Sequence, residues 1–420
     1  MSMARRLFLV VWLLVALTAA TTQAGTHKAG PHLQVLAHVS PPGGYSADVV
    51  GERHYAYLSS HRGTNDCPAQ GVRIYDLANP RKPRHISTFA DAKREPILDA
   101  TWTEKTIVRH VSTGGFKGDL AVTSIQACSS GFGGFALYDV TRPAHPKRLS
   151  IVSTDPRGSH EIWLGAARGH VWVYTALAAA EFEATPDAFG FHIYDVTNPR
   201  TPHEVGGWSA CKELKLCTPV SGNTGTRALV HSVITNAAQT RAYLSYWDDG
   251  TVILDISDPA NPRYLGRTPR GQGRTHSAWL THGGKILVET HETAHGRPYV
   301  YDISNPARPV RLAIVRLPAS LHSAGTFTGG LPLDDSVHDP KIAGNLAYFS
   351  WYAQGVPVFD ITNPARPRYL TRFRPPPARD GHGLLCPGHS CAAVWGVFPT
   401  PKYVLASDLS SGLWVLRLQR

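Results

Sequence analysis

Five histidines recur at one place in a repeating pattern. His110, His160, His231, His276 and His338 each stand at or near the start of a short β-type segment. Neutral imidazole is a common ligand of zinc, copper and iron. Equivalent imidazoles facing a single axis would form a candidate centre for a divalent transition metal, with Glu289, His291 and His382 as further donors. The alternative is structural: a residue copied with the repeat, bonding to an adjacent backbone carbonyl. His291-Glu292-Thr293-Ala294-His295 matches the H-E-x-x-H pattern of zinc peptidases, which requires a helix to bring both imidazoles to one face. Here the match falls between two strand-like runs, Leu287-Val288 and Tyr299-Val300-Tyr301, with no room for a helix. No Gly-x-Ser-x-Gly elbow and no phosphate loop is present.

The segments that position these residues are organised by a signature, seen most fully in Phe359-Asp360-Ile361-Thr362-Asn363-Pro364-Ala365-Arg366-Pro367. Near-copies carry Asp76, Asp139, Asp195, Asp255 and Asp302, at intervals of 47 to 63 residues. Each Asp follows a β-branched or aromatic run, and a Pro-x-x-Pro turn follows each Asp. That is a strand running into a stiff turn. The six aspartates read as turn braces, accepting backbone N–H groups of the turn they precede. A Gly stands a few residues upstream each time: Gly71, Gly134, Gly190, Gly250, Gly296 and Gly355.

Each repeat holds four strand-like runs, here a to d, with the signature ending run c. No long segment has helical period. Repeats of this size built from four strands imply a β-propeller. Six signatures and a C-terminal repeat without a turn make seven blades. The last repeat lacks strand d, whereas residues 32–38 form a strand with no repeat of their own. The expected fold is all-β: a seven-bladed propeller of four-stranded antiparallel blades, closed by the N-terminal strand pairing with residues 412–418. Closure removes an exposed edge. Strand a lines the axis. The long d–a and b–c loops emerge on one face, the Pro-x-x-Pro turns on the other, and the long-loop face is the expected functional face.

Arg5 and Arg6, an apolar run over 7–20 and a small-residue exit at Ala24 read as a signal peptide over 1–24, leaving 25–420 as one domain. No later stretch is long and apolar enough to be a transmembrane segment. An extracytoplasmic location follows, periplasmic or secreted. Six cysteines suit that setting as three disulfides, Cys67–Cys128, Cys211–Cys217 and Cys386–Cys391. The formal net charge is +11, with much of the Lys and Arg scattered around the Pro turns. No block of like charge points to nucleic acid.

Ser336-Val337-His338-Asp339-Pro340, through Leu346-Ala347-Tyr348-Phe349-Ser350-Trp351, to Gly355-Val356-Pro357-Val358-Phe359-Asp360-Ile361-Thr362-Asn363-Pro364 resembles the LVIVD-repeat family. The likeness runs through all seven repeats and implies an exported bacterial or archaeal β-propeller, often placed at the cell surface, without an agreed activity. The expected function is a binding or scaffolding module, a monomer, taking an unknown protein or cell-envelope ligand on the long-loop face. The alternatives are a metal-dependent enzyme using the histidines, and recognition of anionic envelope polymers by the basic turn face.

Overall fold

The computed structural model describes residues 30–42, 45–61, 67, 70–128, 131–154, 157–177, 190–217, 229–247, 249–293, 295–322, 335–380, 385–386 and 390–420. The signal peptide expected over 1–24, the b–c loop 178–189, residues 218–228 of the d–a loop 209–228, residues 323–334 of the d–a loop 317–336, and His382 lie outside them.

The chain forms seven four-stranded antiparallel blades in sequence order. Their inner strands are Tyr45–Glu52, Thr106–Ser112, Glu161–Ala167, Val230–Thr235, Thr275–Thr281, Asp339–Ala343 and Val394–Pro399. Blade two takes an extra short strand, Thr101–Trp102, onto the end of its long second strand Lys117–Ala127. The closing strand is His32–Val39, antiparallel to Gly412–Gln419, with Leu33 opposite Leu418 and Val39 opposite Leu413. The expected closure is therefore the observed one. The cores lie between neighbouring blades: Leu120, Val122 and Leu137 of blade two pack with Ile162, Leu164 and Val173 of blade three. No helix among the described residues is long and apolar enough to cross a membrane.

The signature residues work locally. Asp360 accepts the Thr362 N–H at 2.9 Å and the Arg368 guanidinium at 2.9 Å. Asp255 does the same with Ser257 at 2.9 Å and Arg263 at 2.7 Å. Asp76, Asp139, Asp195 and Asp302 accept the N–H two residues on, at 2.7 to 2.9 Å. Hydrogen bonds from Thr362 hold the Asp360 carboxyl down to about 2. Three arginines of the basic turn face, Arg84, Arg263 and Arg368, are thus paired with their own braces. Upstream, Gly355 has φ +80°, and a Cβ there would meet the Phe373 carbonyl oxygen of the outer strand at 2.1 Å. Only glycine permits both that conformation and that approach.

The cysteines pair as Cys67–Cys128, Cys211–Cys217 and Cys386–Cys391. The first closes a span of 61 residues and ties blade one to blade two, while the other two close spans of 6 and 5. Loop-closure entropy makes a 61-residue crosslink worth about 4 kcal/mol and the short ones about 2 kcal/mol each. In urea unfolding, Cys67→Ser/Cys128→Ser is expected to lose about twice the stability lost by Cys211→Ser/Cys217→Ser. The reverse order would show that the long crosslink is not formed.

Candidate functional site

Strands alternate their side chains, so an inner strand ordinarily offers every second residue to the channel. Four of the inner strands, in blades one, four, five and seven, break that rule near their first pairings. In blade four Val230 pairs with Tyr246 and Ser232 with Ser245, leaving His231 as the extra residue of a bulge. In blade five Thr275 pairs with His291 and Ser277 with Thr290, leaving His276 as the extra residue. Trp395 holds the same position in blade seven. A bulge re-aims the side chain of its extra residue, and these three meet at one end of the channel.

His231, His276 and His338 are 4%, 1% and 3% exposed, and their rings follow one another at centroid distances of 4.0 and 4.1 Å. His160 joins at the other side, its Nε2 2.9 Å from Nε2 of His231. Trp247 lies against His231 at 4.7 Å, and Trp395 against His338 at 4.5 Å. Glu292, just past the second strand of blade five, sends Oε2 to 3.8 Å from His276 Nε2, while its Oε1 accepts the Tyr352 hydroxyl. One donor atom each from His231, His276 and Glu292 lies within 4.8 Å of the others.

Tautomers follow from the hydrogen bonds. His231 Nδ1–H donates to the His276 carbonyl at 3.1 Å, and His338 Nδ1–H donates to the Trp395 carbonyl at 2.6 Å. Each contact leaves the ring's Nε2 lone pair for another partner. The carbonyl bond of the structural reading is therefore present. It is also the contact that orients a metal-ligating imidazole. Burial, reinforced by the neighbouring imidazoles, holds His231 and His276 well below the ordinary imidazole range. Burial takes His338 down to about 3. Neutral imidazoles at neutral pH are the ligating form.

Beneath this layer the channel is filled by a charged cluster. Lys105 Nζ lies 2.9 Å from Asp48, 3.3 Å from Glu161 and 3.0 Å from Asp339. Lys341 also pairs with Asp339. Every member is under 9% exposed. Against the cost of burial, the three carboxylates hold the Lys105 ammonium charged, well above its usual range. The two ammonium groups hold Asp339 ionised below its usual range against the same cost. Burial pushes Glu161 up to about 7 against the pull of Lys105. Glu104, beside Lys105, accepts from Trp395 Nε1 and is raised by burial and by Glu161.

His160, His231, His276 and His338 thus come together, while His110 does not. It is the fifth residue of Thr106–Ser112, near the a–b turn, where it bonds Asp119 at 2.7 Å beside Arg53. The inner strand of blade two starts earlier relative to its histidine than the other repeats suggest, and Glu104 occupies the level of the imidazole layer. Glu289 is also elsewhere, buried and bonded to Thr251, Thr268 and His291. Of the H-E-x-x-H match, His291 ends a strand and pairs with Glu289 at 2.7 Å, whereas His295 is exposed toward Asp335. The two imidazoles share no site. The Glu between them does belong to the imidazole layer, and sequence reasoning passed over it. Tyr352, Trp395, Lys105, Asp48, Glu161 and Asp339 were also missed. The one available signal was an acidic residue directly after His160 and after His338.

Comparison with known proteins agrees with this architecture. Residues 242–268, the second and third strands of blade four with the turn and outer strand beyond them, match the model of the LVIVD repeat. No curated protein matches the chain in sequence. Among solved structures the chain is similar in fold to the crystal structure of Chaetomium thermophilum Raptor, with a TM-score of 0.60 and 12% identity, over 92% of this chain and 29% of that one. The computationally designed Ika8 protein aligns over 92% of this chain and all of its own, at TM-score 0.49 and 10% identity.

Proposed function

We propose that this LVIVD-repeat propeller is a metal-binding module, holding a divalent transition metal at the channel mouth on His231, His276 and Glu292. The observation that carries the reading is the pair of bulges in adjacent inner strands, which turn His231 and His276 toward the layer that Glu292 enters. Two imidazoles and a carboxylate suit zinc or iron(II). Tetrahedral ligands at about 2.1 Å stand about 3.4 Å apart, so binding would draw these donors together by side-chain rotation. His160 and His338 flank the set, and an ion would take the lone pair of His231 that His160 now engages. Three protein donors would leave a coordination position for water or substrate, which supports the reading of a metal-dependent enzyme; Tyr352 donates its hydroxyl to Glu292 and would orient that carboxylate. The three disulfides support an oxidising, extracytoplasmic compartment. In that setting the module acts as a monomer toward a protein or cell-envelope partner on the long-loop face.

Elemental analysis of protein purified without an affinity tag tests this reading. About one equivalent of metal is expected, lost in His231→Ala and in His276→Ala and kept in His110→Ala. Because the imidazole pKa values are lowered, protons compete only in acid. Occupancy should persist at pH 6 and fall as pH drops further toward the lowered values. Sub-stoichiometric metal in the parent, or unchanged occupancy in both variants, returns the histidines to a purely structural role.

A further inference from the structure

The opposite end of the channel is open space. A cavity of about 910 Å³ runs from Lys105 and Asp48 to the a–b turns at 236–239 and 283–284, away from the long-loop face. Its wall is partly apolar, with Ile107, Ile234 and Leu280, and partly aromatic, with Trp163 and Trp279 edge-to-face at 5.7 Å. Trp163 Nε1–H donates to Thr235 at 2.8 Å, and Thr235 donates to Gln239 at 2.7 Å, so these wall groups are satisfied.

Arg109 is not. Its guanidinium lies over the Trp163 ring at 5.0 Å, and its Nε is buried without a hydrogen-bond partner. Among the described residues it makes no ion pair within 4.0 Å. Glu52 acts on it only at longer range, and burial holds the Arg109 guanidinium below its usual range. The other cations of the cavity are committed, Lys105 to Asp48, Glu161 and Asp339, and Lys341 to Asp339. One positive charge without a close ion-pair partner therefore faces a partly apolar space. A guanidinium placed over an indole face still has N–H groups to donate, and a pair of them matches a carboxylate bidentately. A multiply charged phosphate would bring more negative charge than Arg109 alone can meet, with Asp48 and Glu52 close by. Placing an apolar body against Ile107, Ile234 and Leu280 adds the burial of its own surface.

We infer that this cavity binds a small organic monocarboxylate, with Arg109 clamping the carboxylate and the Trp163–Trp279 wall holding the apolar body. The site is distinct from the metal layer, and the inference does not rest on that proposal.

Calorimetric titration of the chelator-treated protein with benzoate, and with benzamide as the neutral molecule of the same shape, tests it. Saturable one-to-one benzoate binding is expected, with benzamide at least tenfold weaker. Arg109→Gln should weaken benzoate tenfold or more and leave benzamide unchanged. Arg109→Lys, which keeps the charge and loses the fork, should fall between the two. Thermal unfolding of each variant shows whether it is folded, and Arg84→Gln on the turn face and His276→Ala in the metal layer should bind benzoate as the parent does. Equal affinity for benzoate and benzamide, no saturable benzoate binding in the parent, or full binding by a folded Arg109→Gln would overturn the inference.

Discussion

Replacing Lys105 by methionine is expected to cost the protein several kcal/mol of folding stability. The substitution nearly conserves volume, so its effect is electrostatic. It leaves Asp48, Glu161 and Asp339 buried around a site that has lost its central cation, with Lys341 pairing Asp339 alone. Breaking a buried ion cluster from one side costs about 3–5 kcal/mol, because the abandoned charges stay desolvated. The sign of the pH dependence follows. Without Lys105 the carboxyl pKa values in the folded state rise above those of the unfolded chain, so the folded state binds more protons and stability falls as pH rises. The variant should be most damaged at pH 8 and recover part of the loss toward pH 5. Glu161 already sits at about 7 in the parent, so its contribution follows the same direction between about pH 4.5 and 7. Urea unfolding at the two pH values measures both effects. A loss below about 1 kcal/mol at pH 8, against that 3–5 kcal/mol, would mean that the cluster is hydrated enough to need no central cation.

The second large effect is expected from deleting residues 31–40. That removes the strand His32–Val39 and uncovers the edge of Gly412–Gln419 along its whole length. Leu33, 9% exposed, leaves the core between the sixth and last blades, and Leu36, 8% exposed, leaves the core between the last and first. Each buried leucine is worth about 1.5–3 kcal/mol, and an unpaired, flat, hydrophobic edge invites pairing with another chain. Size-exclusion chromatography and thermal unfolding should show aggregation and a lowered midpoint. A truncated protein that stays monomeric with an unchanged midpoint would contradict closure by this strand.

The architecture was readable because its determinants are local. Asp360 braces a turn that is itself written in Asn363, Pro364 and Pro367, and the brace reaches no further than Arg368, eight residues along the chain. The orphan strand at 32–38 was identifiable because the last repeat lacked one. The cysteines paired as their spacing and the repeat positions suggested. The site was less readable because its geometry depends on exceptions to periodicity. A bulge adds one residue without any compositional mark, so nothing in Val230-His231-Ser232 says that His231 turns into the channel. The misplacement of His110 has the same origin: with an extra pairing at Thr101–Trp102, blade two enters its inner strand at a different residue from its neighbours. Lys105 was invisible for another reason. Its three partners stand in blades one, three and six, and nothing but ring closure brings them to one point.

That point lies directly under the imidazole layer, which makes the coordination of a bound ion the central issue. The most direct measurement is X-ray absorption at the metal edge of the tag-free protein, loaded with one equivalent of zinc and compared with His231→Ala. A first shell of nitrogen and oxygen at about 2.0–2.1 Å, with outer-shell scattering from at least two imidazole rings that falls by one ring in the variant, is the result the account predicts. A shell of oxygen alone, or identical spectra from parent and variant, would contradict it.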